Sequence, residues 1–309
     1  VIPFAKFVGI LSAVAGGSGG GGASGGGANT CCASARIVAT GPVYLNVDKS
    51  GSDARGANGI QNPFLTVQKL IDYAAQRYDF AGFPLYIRVG EGTFTECLQI
   101  KPMFGAMSDP VTGDGAINIV GIGDIDQVIL QADGNIASPA LTAKNMSQLV
   151  SLDGVTLDGS QNDWVAILDA EAAMVQLRNL HFLCADNSFP VTTFASAIVN
   201  FAFNYTATLI AAGSGCNTFA TAVGRSSVNF FSHLAIQGAF ALTDAFLNAN
   251  EDSLISWSPQ SATGAATGGR AKADYFGKII NLAGVGQAGI PGNADGVINA
   301  AHGAQLVSN

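Results

Sequence analysis

Val150–Gly159 reads VSLDGVTLDG, and the stretch beginning 25 positions later, Val175–Cys184, reads VQLRNLHFLC. In both, apolar residues lead and then alternate with polar ones. The pattern returns at Val228–Gly238 (VNFFSHLAIQG) and more loosely at Leu254–Gly264 (LISWSPQSATG), and Val199 (VNFAF) lies between Val175 and Val228. Period-2 alternation describes a strand with one buried face, and repetition at about 25 residues describes strands wound into coils. One such coil is too small to bury its inward face, so each must be stabilised by stacking on its neighbours. From Ile117 to Leu254 there is room for roughly six coils at this period.

Composition agrees with short strands and tight turns. Charged residues are 12% of the chain and Gly numbers 39, whereas helix-rich domains carry more Glu, Lys and Arg on exposed faces. Neither heptads nor βαβ alternation occur, which excludes coiled-coil and doubly wound folds. The net charge of −8, with Lys and Arg scattered, excludes a nucleic-acid surface. The five cysteines, at 31, 32, 97, 184 and 216, fit neither a disulfide framework nor a zinc site. They read as small apolar side chains of a protein assembled in a reducing cytoplasm. His181, His233 and His302 lack metal-ligand spacing, and no metal or cofactor is expected.

Val1–Ala15 is apolar with one charge, Lys6. It is shorter than the about 20 residues that span a bilayer, so no membrane span is expected. Its Ala13-Val14-Ala15 ending also fits a signal-peptide cleavage site. Joined to the Gly-rich stretch Gly16–Gly27, it reads as an anchor peptide on a tether, with residues 1–40 serving attachment. Val43–Val47 alternates as a strand, and Asp48–Gly59 is a loop. Leu65–Tyr78 has a helical stripe of Leu65, Val67, Leu70, Ile71 and Ala74, with Thr66 as its cap. Leu85–Val89 and the phrase Gly90–Thr95 (GEGTFT) follow.

The order YLNV–DKSGSDARGANGIQNPFLTVQKLIDYA–LYIRVGEGTFTE resembles the start of right-handed parallel β-helix proteins of the pectate-lyase-like class. It is most similar to those of bacteriophage tail spikes and fibres. Near the end, Gly269, Tyr275, Gly277, Ile279, Pro291, Gly292 and Gly296 resemble a phrase of phage receptor proteins, although Gly303-Ala304-Gln305-Leu306 departs from it. The resemblance implies an all-β chain: a right-handed parallel β-helix with an N-terminal capping helix and an extended N-terminal anchor. The expected divisions are 1–40 anchor and tether, 41–110 capping region, 111–265 coils and 266–309 a C-terminal β region.

The function it implies is a phage tail spike or fibre, a homotrimer in the virion. It would be held to other virion proteins through residues 1–40 and bind a host surface polysaccharide. Two alternatives stand beside it: a secreted or virion-borne polysaccharide hydrolase or lyase, and a head-attached fibre or decoration protein. Glycoside hydrolysis needs two carboxyl groups about the scissile bond, so Asp153, Asp158, Asp163 and Asp186 are candidate catalytic residues, with Asp169 and Glu171 nearby. Asp153-Gly154 and Asp158-Gly159 also read as ordinary turn pairs. Trp164 and Trp257 are candidate sugar-stacking residues. The cluster Phe194, Phe201, Phe203, Tyr205, Phe230 and Phe231 suits an internal stack, a subunit contact or a carbohydrate platform. Gly284–Gly289 satisfies G-x-G-x-x-G, but Pro291-Gly292 prevents the helix a dinucleotide site requires.

Overall fold

The computed structural model describes residues 36–54, 57–134, 138–161, 166–184, 188–211, 215–284 and 286–308. They form a mostly β protein, a parallel β-solenoid of about six turns with one short α-helix. Among them no helix is long and apolar enough to cross a membrane.

The echo between Val150 and Val175 is a ladder contact. Leu149–Asp158 pairs in parallel with Met174–Cys184, and Val150 lies opposite Val175. The same position continues through the first face of the solenoid as Val43, Leu85, Ile117, Val150, Val175, Val199, Val228, Ile255, Ile279 and Leu306. Two residues along, the inward column runs Leu45, Ile87, Ile119, Leu152, Leu177, Phe201, Phe230, Trp257 and Asn281. Both columns follow from period-2 alternation, which turns every second side chain into the bore. The second face carries Val128–Gln131, Thr206–Ala211 and His233–Gln237, joined to the later halves of Leu149–Asp158 and Met174–Cys184. The third is a separate sheet that includes Leu98–Ile100, Leu141–Lys144, Ala166–Glu171, Phe189–Phe194, Ala220–Ala222 and Phe240–Ala249.

The bore changes character along the chain. The inward column is aliphatic from Leu45 to Leu177, and from Phe201 it becomes part of a continuous aromatic stack. Phe219 sits at its middle, its ring centroid 5.5 Å from Phe201, 5.9 Å from Phe230 and 4.8 Å from Phe246. Trp257 continues it at 4.7 Å from Phe230. Of the aromatic residues singled out in the sequence, Phe201 and Phe230 belong to this stack, while Phe194, Phe203 and Phe231 are exposed. The Trp257 indole N–H donates to Gly289 O at 3.0 Å, and the buried Asn281 amide donates to Gly286 O and Ala288 O. Gly286, Ala288 and Gly289 of the glycine-rich phrase thus give their carbonyls to buried donors.

The helix spans Val67–Arg77 and buries Val67, Leu70, Ile71 and Ala74. Leu65, expected in that stripe, lies before the helix and is exposed. Thr66 occupies the N-cap position but makes no capping bond. Its hydroxyl donates to Asp53 instead, and Glu96, at the end of the GEGTFTE phrase, takes the N–H groups of Val67 and Gln68 at 2.8 and 2.9 Å. A carboxylate on the free donors of a helix start is favourable, because those N–H groups have no partner within the helix.

Where the third face returns to the first, successive turns bend through pairs of residues with left-handed φ: Ala195-Ser196, Gly224-Arg225, Glu251-Asp252 and Tyr275-Phe276. In a non-glycine residue this conformation costs about 1–2 kcal/mol. The stacked bonds Ser196 N→Gly224 O, Arg225 N→Glu251 O and Asp252 N→Tyr275 O hold it at 3.0, 3.0 and 3.1 Å. Immediately after the last pair, a Cβ on Gly277 would lie 2.0 Å from Ala249 O, and one on Gly296 would lie 1.9 Å from Ala271 O. These two glycines of the C-terminal phrase let adjacent turns approach. Gly277→Ala is expected to destabilise by about 1–3 kcal/mol through overpacking, read as a lowered urea midpoint; an unchanged midpoint would contradict the close approach.

Candidate functional site

On the outward side of the first face, the earliest turns stack two aromatic rings. Tyr44 and Tyr86 are in register, their centroids 4.8 Å apart and their planes within 15°. The Arg88 guanidinium lies 4.4 Å from the Tyr44 ring centroid. Two turns further on, Asp153 stands opposite Arg178 in the ladder. An excursion of the chain between Leu98–Ile100 and Ile117–Gly121 folds back across this surface and brings in Asp114. Asp114 accepts a hydrogen bond from the Tyr86 hydroxyl at 2.8 Å and pairs with the Arg178 guanidinium. Arg178 also donates to Gly113 O at 2.8 Å and lies over the Tyr205 ring at 5.4 Å. Below the excursion, the Ser151 hydroxyl accepts from Gly115 N and the Asn118 amide donates to Gly115 O. Asp114, Asn118, Ser151 and Arg178 line a cleft of about 290 Å³ with Tyr44, Tyr86, Arg88 and Asp153 on its walls.

The two carboxyl groups of the cleft are driven in opposite directions. Burial pushes Asp153 above the usual carboxylate range, and the Asn179 hydrogen bond and the charge of Arg178 only partly offset this. Burial acts on Asp114 in the same sense, but hydrogen bonds from Arg178, Tyr86 and Thr112, with the charge of Arg178, outweigh it and leave its pKa lowered. The Tyr86 phenol is held well above its ordinary value by burial and then by its bond to Asp114. One carboxyl that keeps its proton longer beside one that loses it readily is the division of roles acid–base chemistry requires.

The third face bears a larger groove, of about 760 Å³. Along it Thr142, Asp169, Thr192 and Thr221 stand in register on successive turns. The Lys144 ammonium bridges Asp169 and Glu171 at 3.1 and 3.2 Å, and the Asp169 bond is the first cause of its raised pKa.

The residues proposed from the sequence are distributed as follows. Asp153 lines the cleft from within the strand Leu149–Asp158, so Asp153-Gly154 is not a turn between strands; Gly154, with φ 67°, is a local irregularity of that strand. Asp158 is buried and accepts bonds from Gln131 Nε2 and Ser160 N, both at 2.7 Å, so it organises a turn and offers nothing to solvent. Trp257 is a correction. Its ring is fully buried in the aromatic stack, because period-2 alternation turns it inward with Ile255, and it presents no face to a sugar. Asp163, Trp164 and Asp186 lie outside the described residues. His181 pairs with Asp126 at 2.7 Å, in keeping with a structural role. Asp114 escaped sequence reasoning, since within Gly113-Asp114-Gly115 it reads as a turn residue. Among the described residues no three His, Cys, Asp or Glu side chains gather about a point that could hold a metal.

No family model, curated protein or solved structure matches this chain. The class defined by the fold is therefore that of parallel β-solenoid proteins, which includes both phage spikes and polysaccharide enzymes.

Proposed function

We propose that this protein is a bacteriophage virion protein, a tail spike or fibre that binds a polysaccharide of the host surface. In this reading the solenoid is right-handed and the Val67–Arg77 helix caps its first turn. Residues 1–40 attach it to other virion proteins, and the spike assembles as a homotrimer in the host cytoplasm. The observation that carries the glycan-binding role is the cleft. A stacked tyrosine pair, two guanidinium groups and two carboxyl groups converge there from turns far apart in sequence. Aromatic faces suit the apolar side of a sugar ring, and the charged groups suit its hydroxyls.

The test is to apply the purified full chain to an array of bacterial capsular and O-antigen saccharides. Retention of particular saccharides, weakened about tenfold or more by Tyr44→Ala, is the expected result. Failure to retain any saccharide would remove this reading.

The opposed carboxyl groups favour a second reading, in which the bound glycan is also cleaved. Asp153 would then protonate the leaving oxygen while Asp114 acts as base or nucleophile. Asp153→Asn should abolish the release of reducing ends while leaving saccharide retention in place. If the unmodified protein releases none, the protein is a binder alone.

A further inference from the structure

The third-face groove is separate from the residues of the cleft, and its chemistry points to a ligand of its own. We infer that it seats a neutral, hydroxyl-rich saccharide ring, a second glycan site on another face of the same solenoid. The ligand class rests on the reading above; the place does not.

Charge comes first. The groove's charged residues are Lys101, Lys144 and Asp169. Lys101 is paired with Asp72 at 2.6 Å, and Lys144 with Asp169 and Glu171. Its cations are thus already countered, so an anion gains little there. Hydrogen-bonding capacity is in excess, however. Asp169 Oδ1 and Thr221 Oγ1 are both buried and have no hydrogen-bond partner. An unsatisfied buried polar atom costs about 1–3 kcal/mol, so a ligand that supplies its partner recovers that loss. Thr221 is only 8% exposed yet lines the groove. One χ1 step can turn its hydroxyl toward the groove, and Asp169 lines the same floor with its Oδ1 unpartnered.

Asp169 and Thr221 are separated along the ladder by Thr192, with rungs about 4.8 Å apart. That places an acceptor and a hydroxyl two rungs from each other on one floor. Pro139 and Phe194 provide apolar surface, Phe194 being 39% exposed. An apolar wall beside spaced hydrogen-bonding groups complements a sugar ring, which is apolar on its face and hydroxylated at its edge. Two such sites on one chain would let a repeating surface glycan be held twice, multiplying weak affinities.

The experiment uses the full chain and whichever saccharide the array retains, titrated by calorimetry. Two equivalents per chain are expected. Thr221→Val and Asp169→Asn should each weaken one of them at least about fivefold, and Thr221→Ser should restore it. Tyr44→Ala should leave that equivalent intact. A single equivalent, removed by Tyr44→Ala and indifferent to Thr221→Val, would overturn the second site while leaving the cleft reading standing. If no saccharide binds, both fall.

Discussion

Phe219→Ala is expected to lower the free energy of unfolding by about 3–5 kcal/mol, measured from urea denaturation. Phe219 is fully buried and meets four rings: Phe182, Phe201, Phe230 and Phe246. Phe182 and Phe246 come from turns on either side of it, so truncation opens a cavity between turns as well as within one. In a stacked architecture the contact between neighbouring turns is the main source of stability, because no turn buries its own inward face. Two comparisons isolate the cause. Phe219→Leu should cost less, since it leaves a smaller void. Phe203→Ala, at a position 62% exposed, should change stability by no more than about 0.5 kcal/mol. Equal losses for Phe219→Ala and Phe203→Ala would show that the stack does not carry the stability assigned to it.

The contrast between those two phenylalanines shows what could be read from the chain alone. Within VNFAF, alternation counted from Val199 places Val199, Phe201 and Phe203 on one side. The structure keeps Val199 and Phe201 inward but exposes Phe203, because the strand Ile198–Phe201 has ended and the chain is turning. Alternation was legible; the place where it stops was not. The same rule, applied from Ile255, puts Trp257 in the bore, and the sugar-stacking expectation arose from residue type instead of position. The coil period was legible at Val150 and Val175 because those strands pair without offset. It drifts elsewhere because the loops differ in length, and the excursion before Ile117 is among the longer ones.

The site was legible only in part. Asp153 stood out because it belongs to a strand with a strong pattern. Asp114 did not, because its meeting with Arg178 depends on how an irregular segment folds back over three later rungs. The Lys144–Asp169–Glu171 group was hidden for a related reason. Residues distant in sequence become neighbours through register, with Thr142 opposite Asp169 and Lys144 opposite Glu171. Register is set by the inward columns, not by the polar residues it brings together.

Arg178→Met should be the most damaging change in the cleft. The side chains of Arg178 and Asp114 are 10% and 19% exposed, so the substitution leaves a largely buried carboxylate with Tyr86 as its main remaining partner. Breaking such a pair from one side costs about 3 kcal/mol, and methionine retains much of the packing over Tyr205. The dependence on pH separates this electrostatic loss from lost packing. Asp114 has a folded-state pKa below its ordinary value of 3.8, a consequence of the Arg178, Tyr86 and Thr112 bonds overcoming burial. Its contribution to stability is therefore present above 3.8 and is lost as pH falls through the lower folded value. The native protein should weaken in that window, whereas the Arg178→Met variant, whose buried Asp114 protonates more readily, should weaken less. Urea midpoints for the two proteins should thus differ most near about pH 7 and converge toward about pH 3. A gap that stays constant across that range would mean that Arg178 acts through its packing on Tyr205, and that the ion pair holding the excursion over the cleft contributes little to the folded state.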